Sequence, residues 1–216
     1  MNNKPVCYIV GAGEFDGLFR LPEADDMVIA ADGGLKHLAD IGITPNAAIG
    51  DFDSYEGKIP DGAIVLPKEK DDTDMEVSIK HGEALGYAFF LIYGGLGGRL
   101  SHTAANIQTL ARMALNGSQG WLVSGDTAIR ALSGGKVDLR DELSFIYGKI
   151  PKVKYVSVMA HSDVVRGVCE KGMKYDLEGA SLTNTYPIGV SNELCDGGEI
   201  SVESGTVIII VELDND

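Results

Sequence analysis

Short, unbroken apolar runs, most of them closed by glycine or aspartate, recur over residues 1–130 and leave few folds open. "VCYIV" (Val6 to Val10) is closed by "GAG", and "MVIAA" (Met27 to Ala31) by "DGG". "AAIG", "AIVLP", "AFFLIYGG" and "WLVSGD" follow in turn. A strand with one wet face alternates apolar and polar residues, whereas a strand buried on both faces does not. Helical periods fill the gaps. "LKHLADIG" runs from Leu35 and "DMEVSIKHGEALG" from Asp74, each with a glycine stop, and "SHTAANIQTLARMALNG" places Ile107, Leu110, Ala111 and Ala114 on one face. Strands alternating with helices predict an α/β domain with a mostly parallel sheet over residues 1–130.

Beyond Arg130 the rhythm changes. "YVSVMAHS", "VVRGVCE", "MKYDLEG", "GEISVES" and "TVIIIVEL" are short, often alternating, and divided by glycine or charged turns. They predict a smaller all-β domain, a sandwich or barrel without helices, over residues 131–216, with the boundary inside "ALSGGKVDLRDE". With 44% hydrophobic residues the chain has material for packed cores. Its 32 acidic against 18 basic residues make it a poor generic nucleic-acid binder, because that affinity rests on Lys and Arg neutralising phosphates. Cys7, Cys169 and Cys195 fit neither a disulfide framework nor a zinc spacing, and are read as reduced thiols. No leader and no apolar run of spanning length is seen, so the expected compartment is the cytoplasm, away from the membrane.

Ligands of parallel α/β sheets bind beyond the carboxyl ends of the strands, so the residues closing each run carry the information. "GAGEFDG" lacks the third glycine of a dinucleotide fingerprint, with Asp16 in that place. It is either a phosphate-approaching loop or a tight turn. "ADGG" sets Asp32 and Gly33 ahead of a helix, where Asp32 can cap, face a ligand, or both. "GDFDS" holds Asp51 and Asp53. "KEKDDTD" holds Asp71, Asp72 and Asp74 beside Lys68 and Lys70, with Thr73 and Asp74 offering a helix cap. Each acidic run alone reads as a solvated loop. Converging from neighbouring strand ends, with lysines nearby, they match a Mg²⁺–polyphosphate site, since magnesium takes one or two carboxylates plus substrate phosphates. "GGLGGRLSH" brings Gly95, Gly98, Arg99, Ser101 and His102 to a strand-to-helix junction suited to an anion. "SLTNTYPIGVSNE" is rich in hydroxyls and amides, either as turn chemistry or for reading a heterocycle's edge.

In this order, "ADGG", "TPNAAIGDFDS", "KDDTDMEVSI", "GGLGGRLSHTAANI", "SLTNT" and "GVSNE" make the chain resemble the bacterial thiamine pyrophosphokinases over essentially its whole length. The resemblance implies a nucleotide- and Mg²⁺-binding catalytic α/β domain followed by a thiamine-binding β-sandwich. It also implies a homodimer with thiamine held between domains and across the subunit interface. The implied reaction moves the diphosphoryl group of ATP to the hydroxyl of thiamine, giving thiamine diphosphate and AMP, with Mg²⁺ required. Asp51, Asp53 and Asp71 match the metal-binding acids, and with Asp74 and Arg99 form the catalytic set. Asp32, Gly33, Gly95, Gly98, Arg99, Ser101 and His102 fall on the nucleotide side, and Thr183, Ser191 and Asn192 on the thiamine side. One departure stands out: Ser101 occupies a position where the family often has Asp, so that carboxylate is either supplied elsewhere, as by Asp72, or missing.

Phosphoryl transfer suits this inventory, because it depends on positioning and charge neutralisation more than on covalent help. The rival readings are a pyrophosphokinase of pterin alcohols, a glycosyltransferase using Asp51-Phe52-Asp53, and a silent ATP- and thiamine-binding sensor. A glycosyltransferase leaves the second acidic motif and the glycine–arginine loop unexplained, and Ser101 is what keeps the sensor reading open.

Overall fold

The computed structural model describes residues 4–53, 55 and 57–214. Internal contacts divide the chain into two compact units, one ending at Thr109 with Leu122–Ser124 added, the other made of Leu110–Trp121 and the remainder from Gly125.

The first unit is built on parallel strands in the order β5-β1-β2-β3-β4: β1 Cys7–Val10, β2 Met27–Ala31, β3 Ala47–Gly50, β4 Ile64–Val65 and β5 Phe89–Tyr93. Every residue of β1 and β5 is buried, as the unbroken apolar runs require. The chain runs outward from β1 to β4 and then returns to place β5 on β1's other side. The turns after β1 and β5 therefore part in opposite directions, opening a crevice where open α/β sheets bind ligands.

Helix α1 (Gly34–Asp40) joins β2 to β3, α2 (Asp74–Ala84) joins β4 to β5, and α3 (Leu100–Leu115) follows β5. Thr73 caps α2, its hydroxyl accepting the Glu76 N–H at 3.1 Å, while Asp74 and Glu76 in the first turn complement the helix dipole. α2 buries Met75, Ser78, Ile79 and Gly82, one helical stripe. A Cβ at Gly82 would lie 2.7 Å from Phe90 and 2.8 Å from the Cys7 sulfur, so glycine sets how closely α2 sits on the sheet. Burial pushes the Cys7 thiol up to about 12, in keeping with an inert packing role.

The second unit is antiparallel. After β6 (Gln119–Val123) come β7 Thr127–Asp138, β8 Val153–Ala160, β9 Val164–Met173, β10 Leu177–Thr183 and β11 Leu194–Leu213. The long β11 pairs with β7, β8 and β9, and β9 pairs with β10. The β7–β11 register shifts between Val202 and Thr206, so one strand serves neighbours along both halves of its length.

The unit is not all-β. Helix α4, Leu139–Tyr147, begins in the last four residues of the stretch in which sequence reasoning placed the domain boundary, the rest of which belongs to β7. Its signals are those that mark the other helices. Asp138 accepts the Asp141 N–H at 3.1 Å, Gly148 closes the helix in the left-handed region, and Leu139, Leu143 and Ile146 form its buried stripe.

α4 also carries Glu142, only 4% exposed, into a polar cluster inside this core. The Trp121 indole donates to Glu142 Oε2 at 2.5 Å, and Arg130 donates to the same oxygen. The Arg130 guanidinium stacks over the Trp121 ring at 5.4 Å. Removing one member of a buried charge pair strands the other. Glu142→Gln is therefore expected to destabilise the fold by about 3–5 kcal/mol, read by chemical denaturation, and Arg130→Met combined with Glu142→Leu should recover much of that loss.

Candidate active site

The first unit contains a cavity of about 460 Å³ at the carboxyl ends of its parallel strands. One wall is backbone. Gly11 N–H donates to Tyr93 O at 2.8 Å, Gly13 N–H to Gly94 O at 2.8 Å, and Glu14 N–H to Leu96 O at 3.1 Å, stitching the turn after β1 to the turn after β5. A Cβ at Gly11 would lie 2.7 Å from Gly94 O, and one at Gly13 2.5 Å from Leu96 O, so neither position admits a side chain. Both glycines, with Gly94, Gly95, Gly97 and Gly98, line the cavity.

α3 opens from this loop and is fixed to it. Asn106, 8% exposed, donates through Nδ2 to Gly95 O at 2.7 Å. Arg99 and His102 line the cavity beside the helix start, where partial positive charge gathers. Ser101 is exposed on the same first turn and is not among the lining residues, whereas Asp72 is.

The opposite wall is acidic. Asp32 follows β2 in a left-handed conformation (φ 48°). It is not the side-chain cap of α1, whose N-cap is Gly33 with no side-chain bond. Instead its carboxylate accepts the Phe52 N–H at 3.2 Å, tying the β2 turn to the β3 turn. Gly50 makes room, since a Cβ there would meet Asp32 Cα at 2.8 Å. Burial raises the pKa of Asp32, the Gly33 N–H acts against that, and the charges of Asp74 and Asp51 push it further up.

Around Phe52 the two acids of "GDFDS" part. Phe52 is left-handed (φ 53°) and 4% exposed, an anchor that turns its neighbours in different directions. Asp51 lines the cavity. Asp53 does not; it pairs with Lys68 at 3.1 Å in an exposed bridge, and that hydrogen bond holds its carboxyl below the usual range. Asp71 is likewise exposed and off the wall, while Asp74 is on it. The carboxylates lining the cavity are thus Asp32, Asp51, Asp72 and Asp74, with Lys68 and Lys70 among them; of the three acids matched to metal binding, Asp51 lines it and Asp53 and Asp71 do not.

Among the described residues no three His, Cys, Asp or Glu side chains are grouped closely enough to cage a metal. The donors nonetheless suit a hard cation that keeps several non-protein ligands. Three carboxylates repel one another here, and Asp74 Oδ1 is buried without a hydrogen bond, its 3.1 Å approach to Lys70 Nζ being an ion pair lacking hydrogen-bond geometry.

In the second unit, Thr183 is half-buried with its hydroxyl 3.4 Å from that of Thr185, and Ser191 is exposed in a left-handed conformation (φ 60°). Asn192 is 7% exposed and engaged by protein. Its Nδ2 donates to Glu170 Oε2 at 3.0 Å and Tyr175 O at 2.8 Å, and its Oδ1 accepts the Tyr175 N–H at 3.0 Å. Its side chain thereby holds the segment in place. Asn106 and the Asp32–Phe52 link escaped sequence reasoning; a lone amide on the apolar stripe of α3 was the available sign of the former.

Residues 19–121 match the model of "Thiamin pyrophosphokinase, catalytic domain", and residues 144–207 that of "Thiamin pyrophosphokinase, vitamin B1 binding domain". A thiamine pyrophosphokinase of Bacillus subtilis is 28% identical over 194 residues, 86% of this chain and 87% of that one. A thiamin pyrophosphokinase of Caenorhabditis elegans is 25% identical over 182 residues, 79% of this chain and 71% of that one. Among solved structures, thiamine pyrophosphokinase from Bacillus subtilis superposes with a TM-score of 0.83 at 26% identity, covering 97% of this chain and 99% of that one. The thiamin pyrophosphokinase of Candida albicans, at 16% identity, shares the fold with a TM-score of 0.71 over 97% of this chain and 90% of its own. Two family models in sequence order, together covering most of the chain, and a superposition over nearly all of it establish that the chain belongs to the thiamin pyrophosphokinase family.

Proposed function

We propose that the chain transfers the β,γ-diphosphoryl group of ATP to the hydroxyethyl oxygen of thiamine. The observation that carries this reading is one cavity joining a glycine backbone wall, three cationic side chains and four carboxylates at a topological switch point. The hydroxyl oxygen attacks the β-phosphorus, and the bond from that phosphorus to the oxygen bridging it to the α-phosphate breaks. AMP departs with the bridging oxygen and the hydroxyl loses its proton, leaving thiamine diphosphate.

Arg99 and the α3 N-terminus hold the anionic group being transferred, and the glycine wall lets the phosphates approach the backbone. Lys68 and Lys70 add charge on the acidic side. Asp51 and Asp74, with Asp32 beside them, would hold Mg²⁺, which supplies positive charge to the polyphosphate when bound. Asp32, tied to the Phe52 N–H, keeps the β2 and β3 turns in register so that Asp51 stays aimed inward. The strands around β11 are read as the sandwich that binds thiamine, with Ser191 and Thr183 as polar contacts. Net charge −14 favours approach of the cationic thiazolium. A cytoplasmic homodimer completes the reading.

Incubation with ATP, Mg²⁺ and thiamine is expected to give AMP and thiamine diphosphate in equal amounts, and no AMP when thiamine is omitted. ADP with thiamine monophosphate would instead identify an ordinary kinase and defeat the assignment.

Asp51→Asn is expected to lower kcat about 10²-fold or more, with the circular dichroism spectrum unchanged. Asp53→Asn and Asp71→Asn, off the cavity wall, should each cost less than about tenfold. Equal losses at all three positions would contradict this division of roles.

The thiamine segment separates in the same way. Ser191→Ala should raise the KM for thiamine with the melting temperature unmoved. Asn192→Ala should lower stability by about 1–3 kcal/mol, as expected when buried partners lose their hydrogen bonds.

A further inference from the structure

Lys70 differs from every other lysine near the acidic wall. Lys68 is 70% exposed on Asp53, and Lys80 47% exposed on Asp72 and Glu76. Lys70 is only 16% exposed and stands between two cavity carboxylates, 3.1 Å from Asp74 Oδ1 and 3.7 Å from Asp51 Oδ2. Its hold on both is electrostatic and loose. The hydrogen bond it makes goes to Pro67 O at 3.2 Å, whereas the Asp51 separation exceeds hydrogen-bond reach and the Asp74 contact lacks the geometry. An ammonium has three donors on a flexible four-carbon stem and can turn to a new acceptor without moving the backbone.

We propose that Lys70 and the divalent cation compete for Asp51 and Asp74, so that metal binding releases the Lys70 ammonium to a phosphate oxygen of the nucleotide. One cation then serves two purposes. It offsets repulsion within the acidic wall, and it keeps bare metal weakly held until a polyphosphate offers the ammonium another partner. Metal and nucleotide binding are thereby coupled, each stronger in the presence of the other. This rests on the reading of the cavity as a metal–polyphosphate site.

The full chain would be titrated with Mn²⁺, a hard-cation substitute for Mg²⁺ visible by electron paramagnetic resonance, with and without ATP. Lys70→Gln is expected to bind Mn²⁺ alone on the order of tenfold more tightly than the unaltered chain, since a charge 3.1 and 3.7 Å from the two carboxylates has been removed. The same variant should bind Mn²⁺–ATP on the order of tenfold more weakly, through loss of the phosphate contact. Lys70→Arg should resemble the unaltered chain. Lys58→Gln removes the same charge from an exposed lysine that pairs with Asp61 outside the cavity lining, and should leave Mn²⁺ affinity unchanged.

Equal Mn²⁺ affinity for the Lys70→Gln and unaltered chains overturns the inference, as does an equal gain in Lys58→Gln, which would reduce the effect to long-range charge. Loss of Mn²⁺–ATP binding by the unaltered chain would overturn the metal–polyphosphate reading itself, and this inference with it. Should Lys70→Gln fail to fold, acetylation of Lys70 in the unaltered chain, read by mass spectrometry, decides instead. Mn²⁺ alone is expected to raise it and Mn²⁺–ATP to suppress it, and no change with Mn²⁺ alone refutes the competition.

Discussion

Between the turns that follow β1 and β5 there is room for hydrogen and nothing larger. Gly11 and Gly94 lie in direct backbone contact, with the Met75 side chain of α2 against Gly11. Much of the site depends on that approach. It lets Gly13 donate to Gly94, which sets the glycine loop, and Asn106 from α3 then fixes the loop at Gly95. Arg99 reaches the cavity because α3 begins where that loop ends. A methyl group at Gly11 or Gly13 would push apart the two strand ends whose separation defines the site.

The acidic wall follows a different logic, because its members oppose one another. Asp32 has its pKa raised by burial and by the charges of Asp74 and Asp51. Such an arrangement lowers the stability of the protein for the benefit of a cationic ligand, a tension common at functional sites. The backbone bears part of the strain: Asp32 and Phe52 both sit in the left-handed region, joined by a hydrogen bond between side chain and main chain. Lys70 offsets the repulsion from within, and Lys80 keeps Asp72 and Glu76 paired at the edge.

The parallel strands, the α2 cap and the gathering of strand-end residues were legible because they follow from local chemistry. Unbroken apolar runs have few alternatives, and Thr73 followed by Asp74 is a capping signal that needs no tertiary context. What escaped was direction. Asp51 and Asp53 are two residues apart, and which one faces inward depends on the left-handed turn at the buried Phe52, a tertiary outcome. Asn192 shows the same limit: its partners Glu170 and Tyr175 lie 22 and 17 residues away, and no local pattern announces them. Helix α4 is a different case. Its cap, stripe and glycine stop were all present in the sequence, but its first turn was read as a boundary and the rest was assigned to no element.

The Trp121 environment has an optical consequence. This is the chain's single tryptophan, fully buried, with its N–H on a carboxylate and a guanidinium across its face. Intrinsic emission excited at the red edge of the absorption band therefore comes from one interior location in the second unit. It should be poorly accessible to soluble quenchers, and it should change when that core opens. The residues lining the cavity of the first unit include no tryptophan, so this emission reports the integrity of the second unit. The protein carries its own unfolding dye.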